Sequence, residues 1–193
     1  MVLALWTVVG PGQAAYDGPM RRRYLLSGDR VGIHKPSGRD ADEFIAQVRA
    51  SRDLHHPWLT AADTPELYAA YLRRCRRRDT HGFLIHERAG GKLCGFVNIG
   101  NVVGGVFRSG YVGYAAFTNG AGHGYLSEGL RLVVRYAFEN LELHRLEANI
   151  QPDNAPSLRL AERVGFHHEG YSPRYLFIDG AWRDHERWAI LAD

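Results

Sequence analysis

The chain has 193 residues, 45% of them hydrophobic, enough for one domain with a sizeable core and too few for two comfortable ones. Its two cysteines, Cys75 and Cys94, form neither a close redox pair nor part of a metal quartet, which excludes a disulfide scaffold and points to a reducing cytoplasm. The net charge of +3, with arginine runs at Arg21 to Arg23 and Arg73 to Arg78, suits an anionic cofactor, an RNA-associated substrate or a plain solvated face.

Residues 1–9 are apolar but stop at Gly10-Pro11-Gly12, too short to span a bilayer, so residues 1–20 are expected to form a loose extension and 21–193 a single domain with no membrane partner. A first strand region covers 21–33, broken at Ser27-Gly28-Asp29. A helix is predicted from 39 to about 53, with Phe44, Ile45 and Val48 at helical spacing, and His55-His56-Pro57-Trp58-Leu59 breaks it. A second helix runs over 64–78, with Pro65 in its first turn and Leu67, Tyr68, Tyr71 and Leu72 as its inner face.

Strands are predicted over 82–87, 93–99 and 109–116, the first two joined through Ala89-Gly90-Gly91. A helix over 125–141 carries an apolar stripe of Leu126, Leu130, Val133, Val134, Ala137 and Phe138, the mark of packing on a sheet. A strand at 145–150, a turn, and a helix over 157–164 closed by Gly165 follow, and a hairpin of 175–178 with 182–190 turns at Asp179-Gly180. The order β-α-α-β-β-β-α-β-α-β-β predicts one α+β domain with a mixed sheet.

Between the third of those strands and its following helix stands Asn119-Gly120-Ala121-Gly122-His123-Gly124-Tyr125. Glycines at alternate positions let backbone amides approach a ligand, and the helix start aims free N–H groups and its positive dipole end at the same place. The segment reads as a phosphate or pyrophosphate seat. A tight strand-to-helix turn would use the same glycines for sterics alone.

Asn119 to Gly124 is similar to the Arg/Gln-x-x-Gly-x-Gly/Ala loop of the GNAT N-acetyltransferases, with Asn119 where that family has Arg or Gln. Leu143-His144-Arg145-Leu146-Glu147-Ala148-Asn149, Asn154, Ser157-Leu158-Arg159-Leu160-Ala161-Glu162-Arg163-Val164-Gly165-Phe166 and Glu169-Gly170 resemble its ribosomal-protein-alanine N-acetyltransferase branch. Phe96 to Val103 and Tyr175 to His185 extend the likeness, which covers roughly residues 30–190.

The resemblance implies a GNAT-like, mostly antiparallel twisted sheet flanked by helices, with acetyl-CoA as donor and no metal. It implies cofactor contacts from Ala115, Ala116 and Phe117 in the strand that opens the pantetheine slot, from Asn119, Gly120, Ala121, Gly122, His123, Gly124 and Tyr125 at the pyrophosphate, and from Asn154. His123 can equally be an exposed loop residue, and Asn154 a turn former or helix cap. Ser157 stands where related enzymes carry a serine near the thiol, although it too could be a cap. Ala161 occupies the position of the family's usual acid tyrosine, and Leu176 that of a glutamate base.

Glu147, with Asp184 behind it, is the expected holder of a deprotonating water, unless Glu147 is a solvent-facing sheet carboxylate or an ion-pair partner for an arginine. An amide near Ala115 or Ala116 is expected to meet the oxyanion. Trp58, Asn98, Asn101, Tyr111 and Tyr175 are the expected acceptor-side residues. The acceptor is expected to be a protein N-terminus, with ribosome association, or a small amine. DNA is not among the expected partners, and the assembly is a monomer or homodimer. A non-catalytic acyl-CoA or ribosome-binding module is the alternative class.

Overall fold

The computed structural model describes residues 23–192. The expected extension over 1–20 lies outside them. Eight strands form one sheet in the order β1-β2-β3-β4-β5-β6-β8-β7. They are β1 (Leu26–Ser27), β2 (Val31–His34), β3 (His81–Glu87), β4 (Leu93–Val103), β5 (Ser109–Ala116), β6 (Arg145–Ile150), β7 (His167–Ile178) and β8 (Ala181–Leu191). The helices are α1 (Ala41–Ala50), α2 (Arg52–His55), α3 (Pro65–Cys75), α4 (Tyr125–Glu139) and α5 (Ala155–Val164). This is a mixed α+β fold whose strand pairs are antiparallel except β5 with β6. Among the described residues no helix is long and apolar enough to cross a membrane.

Strand alternation sorts side chains into two cores. Val31, Ile33, Phe83, Ile85, Val97 and Ile99 pack with Leu130, Val133 and Ala137 of α4. Leu84, Phe96 and Phe117 pack with Phe44, Tyr68 and Tyr71 of α1 and α3. The sheet is therefore sandwiched, and β3 is buried on both faces.

Several boundaries differ from the sequence expectation. The first strand region is two short strands, parted at the expected break after Ser27, and regular pairing starts only at Leu26. The helix expected over 39–53 is a 3-10 turn (Gly38–Asp40), α1 and α2, interrupted at Ser51. Ser51 is buried and its Oγ accepts the amide of Thr118 at 2.9 Å, tying the break to the loop after β5. β7 starts at His167 because Gly170, at φ 154°, and Pro173 are absorbed as irregularities of a long strand rather than ending it. Leu67, expected on the inner face of α3, is 49% exposed, leaving Tyr68 and Tyr71 as its buried side chains.

The feature that makes a site is where β5 and β6 part. Their parallel pairing holds only at Ser109↔Arg145, Gly110↔Leu146 and Tyr111↔Glu147. Beyond that point β5 continues to Ala116 beside β4 while β6 runs to β8, and a slot opens between them.

Candidate active site

Backbone alternation dictates which groups of β5 face the slot. The amide of Phe117 donates to the Cys94 carbonyl at 2.8 Å, and the register Phe96↔Ala115, Gly95↔Ala116 continues that ladder. Phe117 and Ala115 therefore turn their backbone groups toward β4, while Val112, Tyr114 and Ala116 turn theirs into the slot. This corrects the expectation for Ala115 and Phe117. Phe117 is fully buried among Phe44, Phe96 and His55, and Ala115 lends only its small side chain to the cleft wall. The Ala116 carbonyl accepts His55 Nε2 at 2.8 Å, which sets that ring nitrogen as the protonated one.

The slot leads into a cleft of about 300 Å³. Its walls include Gly120, Ala121, Gly122 and Gly124 from the loop, Leu126 and Ser127 from α4, Asn154, Ser157 and Arg163 around α5, and His55 and Trp58 opposite. Gly120 is needed for close approach, because a Cβ there would stand 2.6 Å from the Cys94 carbonyl oxygen. Gly124, at φ 76°, caps α4 in the left-handed region with no side-chain cap. The first helical bond to this cap runs from Glu128 to the Gly124 carbonyl, so the amides of the preceding turn are left for a ligand. The Ser127 hydroxyl is buried in the cleft wall and has no hydrogen-bond partner among the described residues.

The rest of the loop is scaffolding. Asn119 Nδ2 donates to the Leu93 carbonyl at 3.0 Å, so this residue staples the loop to β4. His123 is exposed, stacks on Tyr125, and gives its carbonyl to Arg30 Nη1 at 2.8 Å. Tyr125 sends its hydroxyl to Glu87 Oε1 at 3.0 Å, outside the cleft lining. Arg30 also pairs with Glu128, whose Oε1 accepts the Arg30 and Val31 amides. Burial raises the Glu128 carboxyl, but the Arg30 and Val31 amides and the Arg30 guanidinium together outweigh it and hold the group below its ordinary value.

At the centre of the slot stands a residue that the sequence reading missed. Tyr114 lines this cleft and two further cavities. Ser157 Oγ donates to the Tyr114 hydroxyl at 3.0 Å, and that hydroxyl donates to the Ser157 carbonyl at 3.3 Å. Burial pushes the Tyr114 hydroxyl up to about 12, so it remains protonated at neutral pH. Asn154 Oδ1 accepts the Ser157 amide at 3.2 Å, capping α5 and holding Ser157 toward the slot.

Beyond Tyr114 a cavity of about 150 Å³ is lined by Trp58, Asn149, Asn154, Ser157, Leu176 and His185 among others. The buried Asn149 Oδ1 has no partner among the described residues. His185 Nδ1 lies 3.0 Å from the Arg183 carbonyl, which can only accept, so Nδ1 carries the proton and Nε2 the lone pair. Burial pushes the His185 imidazole below its ordinary value.

A second cavity, about 540 Å³, lies under α3 and the 59–62 segment. Asn98 lines it with Oδ1 accepting from Tyr71, and Leu67 and Arg74 stand at its wall.

Five further expected residues sit elsewhere. Glu147 Oε1 accepts Arg145 Nε at 2.8 Å, and the same arginine pairs with Glu169, so Glu147 is held in an ion-pair cluster. Asp184 accepts the Tyr171 hydroxyl and the Arg174 amide, and that hydroxyl bond first of all holds its carboxyl below the usual range. It does not stand behind Glu147. Glu147 pairs with Ala189, five residues from Asp184 on β8, roughly 17 Å along the strand and on the opposite face. Asn101 is exposed in the β4–β5 hairpin. Tyr111 shares a hydrogen bond with Tyr175 on the surface near Glu147, and that bond is the main reason its hydroxyl is raised.

A sheet opened between two parallel strands, with an anion seat at one end and a hydroxyl pair at its centre, defines a slot for an extended phosphate-bearing ligand. Residues 30–167 match the Acetyltransferase (GNAT) domain. The chain belongs to the GNAT acetyltransferase family and is an N-acyltransferase.

It is 30% identical to the probable N-acetyltransferase YjcK of Bacillus subtilis over 86% of this chain and 97% of that one. It is 32% identical to the [ribosomal protein uS5]-alanine N-acetyltransferase of Escherichia coli over 86% and 89%. The structure of Mycobacterium smegmatis RimJ in complex with CoA-disulfide superposes with a TM-score of 0.77 at 31% identity, covering 84% of this chain and 82% of that one.

Proposed function

We propose that this protein transfers the acetyl group of acetyl-CoA to the N-terminal α-amine of a protein, a ribosomal protein being the favoured acceptor. The observation that carries the acceptor class is the chemistry of the two cavities beyond Tyr114. Their described lining holds no carboxylate, one arginine (Arg74) at the larger and one histidine (His185) at the smaller. A polyamine or aminoglycoside carries several positive charges and would need acidic partners there. A single amine on a peptide needs one acceptor, and Asn149, whose buried Oδ1 has no partner among the described residues, lines the smaller cavity. The kinship with an enzyme named for a ribosomal-protein alanine supports the same acceptor.

Acetyl-CoA would lie along the slot. The Gly122 to Ser127 amides and the Ser127 hydroxyl would meet the pyrophosphate, and Arg163 stands in the same wall for a phosphate. The backbone groups of Tyr114 and Ala116 would pair with the pantetheine arm or the thioester oxygen.

The acceptor α-amine has a pKa of about 7.7–8.0, so about a tenth is neutral near pH 7 and deprotonation costs only about 1 kcal/mol. Its nitrogen attacks the thioester carbon, and the oxyanion meets a slot-facing amide of β5. The C–S bond then breaks. The sulfur takes a proton from the Tyr114–Ser157 hydroxyl pair, the ammonium proton passes to His185 Nε2, directly or through water, and its onward transfer through water to the hydroxyl pair restores both groups. The hydroxyl pair thus takes the place of the tyrosine missing at Ala161, a residue packed in the core.

Acetyl-CoA turnover on peptides beginning with Ala or Ser, against spermidine and an aminoglycoside, tests this reading. Transfer to the peptides supports it. Transfer confined to the polyamine or aminoglycoside overturns the acceptor class.

A further inference from the structure

We infer that His34, Asp40 and His86 form a binding site for a divalent transition-metal ion, zinc by preference, remote from the acyl-transfer cleft. No short spacing in the sequence announces it, because the fold gathers the three. The register His34↔Leu84, Gly32↔His86 places the two imidazoles as diagonal neighbours on one face of β2 and β3. The turn leading into α1 lowers Asp40 onto them. One ligand atom from each residue lies within 4.8 Å of the others. Asp40 is 2% exposed and His86 fully buried, and neither lines the cleft or the two acceptor-side cavities.

The outer contacts set the ring tautomers. His34 Nδ1 faces the Lys35 carbonyl at 2.8 Å and must donate to it, so the neutral ring presents a lone pair at Nε2. That lone pair points at His86 Nδ1, 3.0 Å away. His86 Nε2 lies 3.7 Å from Glu43 Oε2, a carboxylate that favours a proton on that nitrogen. With that proton on Nε2, His86 turns its Nδ1 lone pair toward His34 Nε2, and a cation between the two nitrogens satisfies both, whereas a proton on Nδ1 makes the 3.0 Å contact an N–H···N bond. Asp40 Oδ2 accepts the Ser37 amide and hydroxyl, while Oδ1 stands 3.9 Å from His34 Nε2.

Tetrahedral ligands about 2.0–2.1 Å from zinc stand about 3.3 Å apart, a value the two observed separations bracket. A carbonyl behind one imidazole and a carboxylate behind the other is the outer arrangement that fixes metal-ligating histidines. The donor set of two imidazoles and one carboxylate suits zinc, cobalt or nickel rather than calcium or magnesium. A shared proton is the competing occupant.

Cobalt titration of the metal-free chain, lacking any polyhistidine tag, separates the two. The expected result is saturable uptake of roughly one ion per chain with visible ligand-field bands, displaced by zinc. His34→Gln and Asp40→Asn should each weaken uptake at least ~10-fold, and Glu43→Gln by ~10-fold, while exposed His144→Gln leaves it unchanged. Zinc-induced shifts of the His34 and His86 ring signals in the unaltered chain check the same point without relying on a variant's folding. Absence of saturable binding, ring shifts confined to other histidines, or bands that persist in His34→Gln and Asp40→Asn overturns the site.

Discussion

Ser157 Oγ donates to the Tyr114 hydroxyl at 3.0 Å, across the gap where β5 has left β6 and α5 begins. The contact joins the main cleft to the two cavities beyond it, and Tyr114 is a residue that all three share.

If the pair hands a proton to sulfur as a unit, Tyr114→Phe and Ser157→Ala should each lower kcat by roughly 10- to 100-fold with little change in KM for acetyl-CoA. The double variant should be scarcely worse than either single one. Steady-state kinetics on the three proteins decide it, and multiplicative losses would mean that the two act separately.

The His185 imidazole is pushed down by burial, so it is neutral at pH 7 and gains its proton only as pH falls through a value below about 6.5. Activity should therefore hold above that value and decline beneath it, and His185→Asn should lower kcat/KM roughly 10- to 100-fold and erase that acid limb. The same depressed value has a stability consequence. The unfolded chain binds the proton more readily, so this group's contribution to folding is intact above about 6.5 and diminishes as pH drops toward the folded value. Chemical denaturation at a series of pH values reads the second effect.

Glu147→Gln should leave kcat within about twofold, because its carboxylate is engaged by Arg145. A loss of 100-fold would return Glu147 to the reaction. Thermal melting in parallel is expected to show only a modest shift.

Gly120→Ala would press a Cβ to 2.6 Å from the Cys94 carbonyl oxygen and push the loop off β4. Destabilisation of about 1–3 kcal/mol is expected, with a raised KM for acetyl-CoA. Ser127→Ala should raise that KM several-fold while stability stays the same or improves, since it removes a buried hydroxyl with no partner among the described residues. Isothermal titration with CoA checks both.

The alternating strands, the striped helix over 125–141 and the glycine loop were legible because local periodicity and tertiary burial agree there. The split at Ser51 was not, since its cause is a hydrogen bond to Thr118, far along the chain. Asn119 occupies the family's loop position but serves as a staple to Leu93, and only the loop's seating on β4 reveals it. Tyr114 reads in Tyr111-Val112-Gly113-Tyr114-Ala115-Ala116 as one more sheet aromatic. The usable signal was parity with Ala116, which places both backbones on the open side of β5. His185 and Asn149 lie on separate strands, and no spacing within either strand links them. Their shared cavity comes from the β6–β8 register Asn149↔Arg187.

The three-residue seam between β5 and β6 makes the ligand a structural member. Two half-sheets, one carrying β1 to β5 and the other β6 to β8, share backbone pairing only at Ser109 to Tyr111, and an extended cofactor arm bound between them would act as a splint. At a hundredfold excess over Kd such a splint adds about 2.7 kcal/mol to folding. Amide exchange along the free edges of Val112, Tyr114 and Ala116 should then slow with CoA in place, a backbone reinforcement added to the apolar core that α4 already shares with both half-sheets.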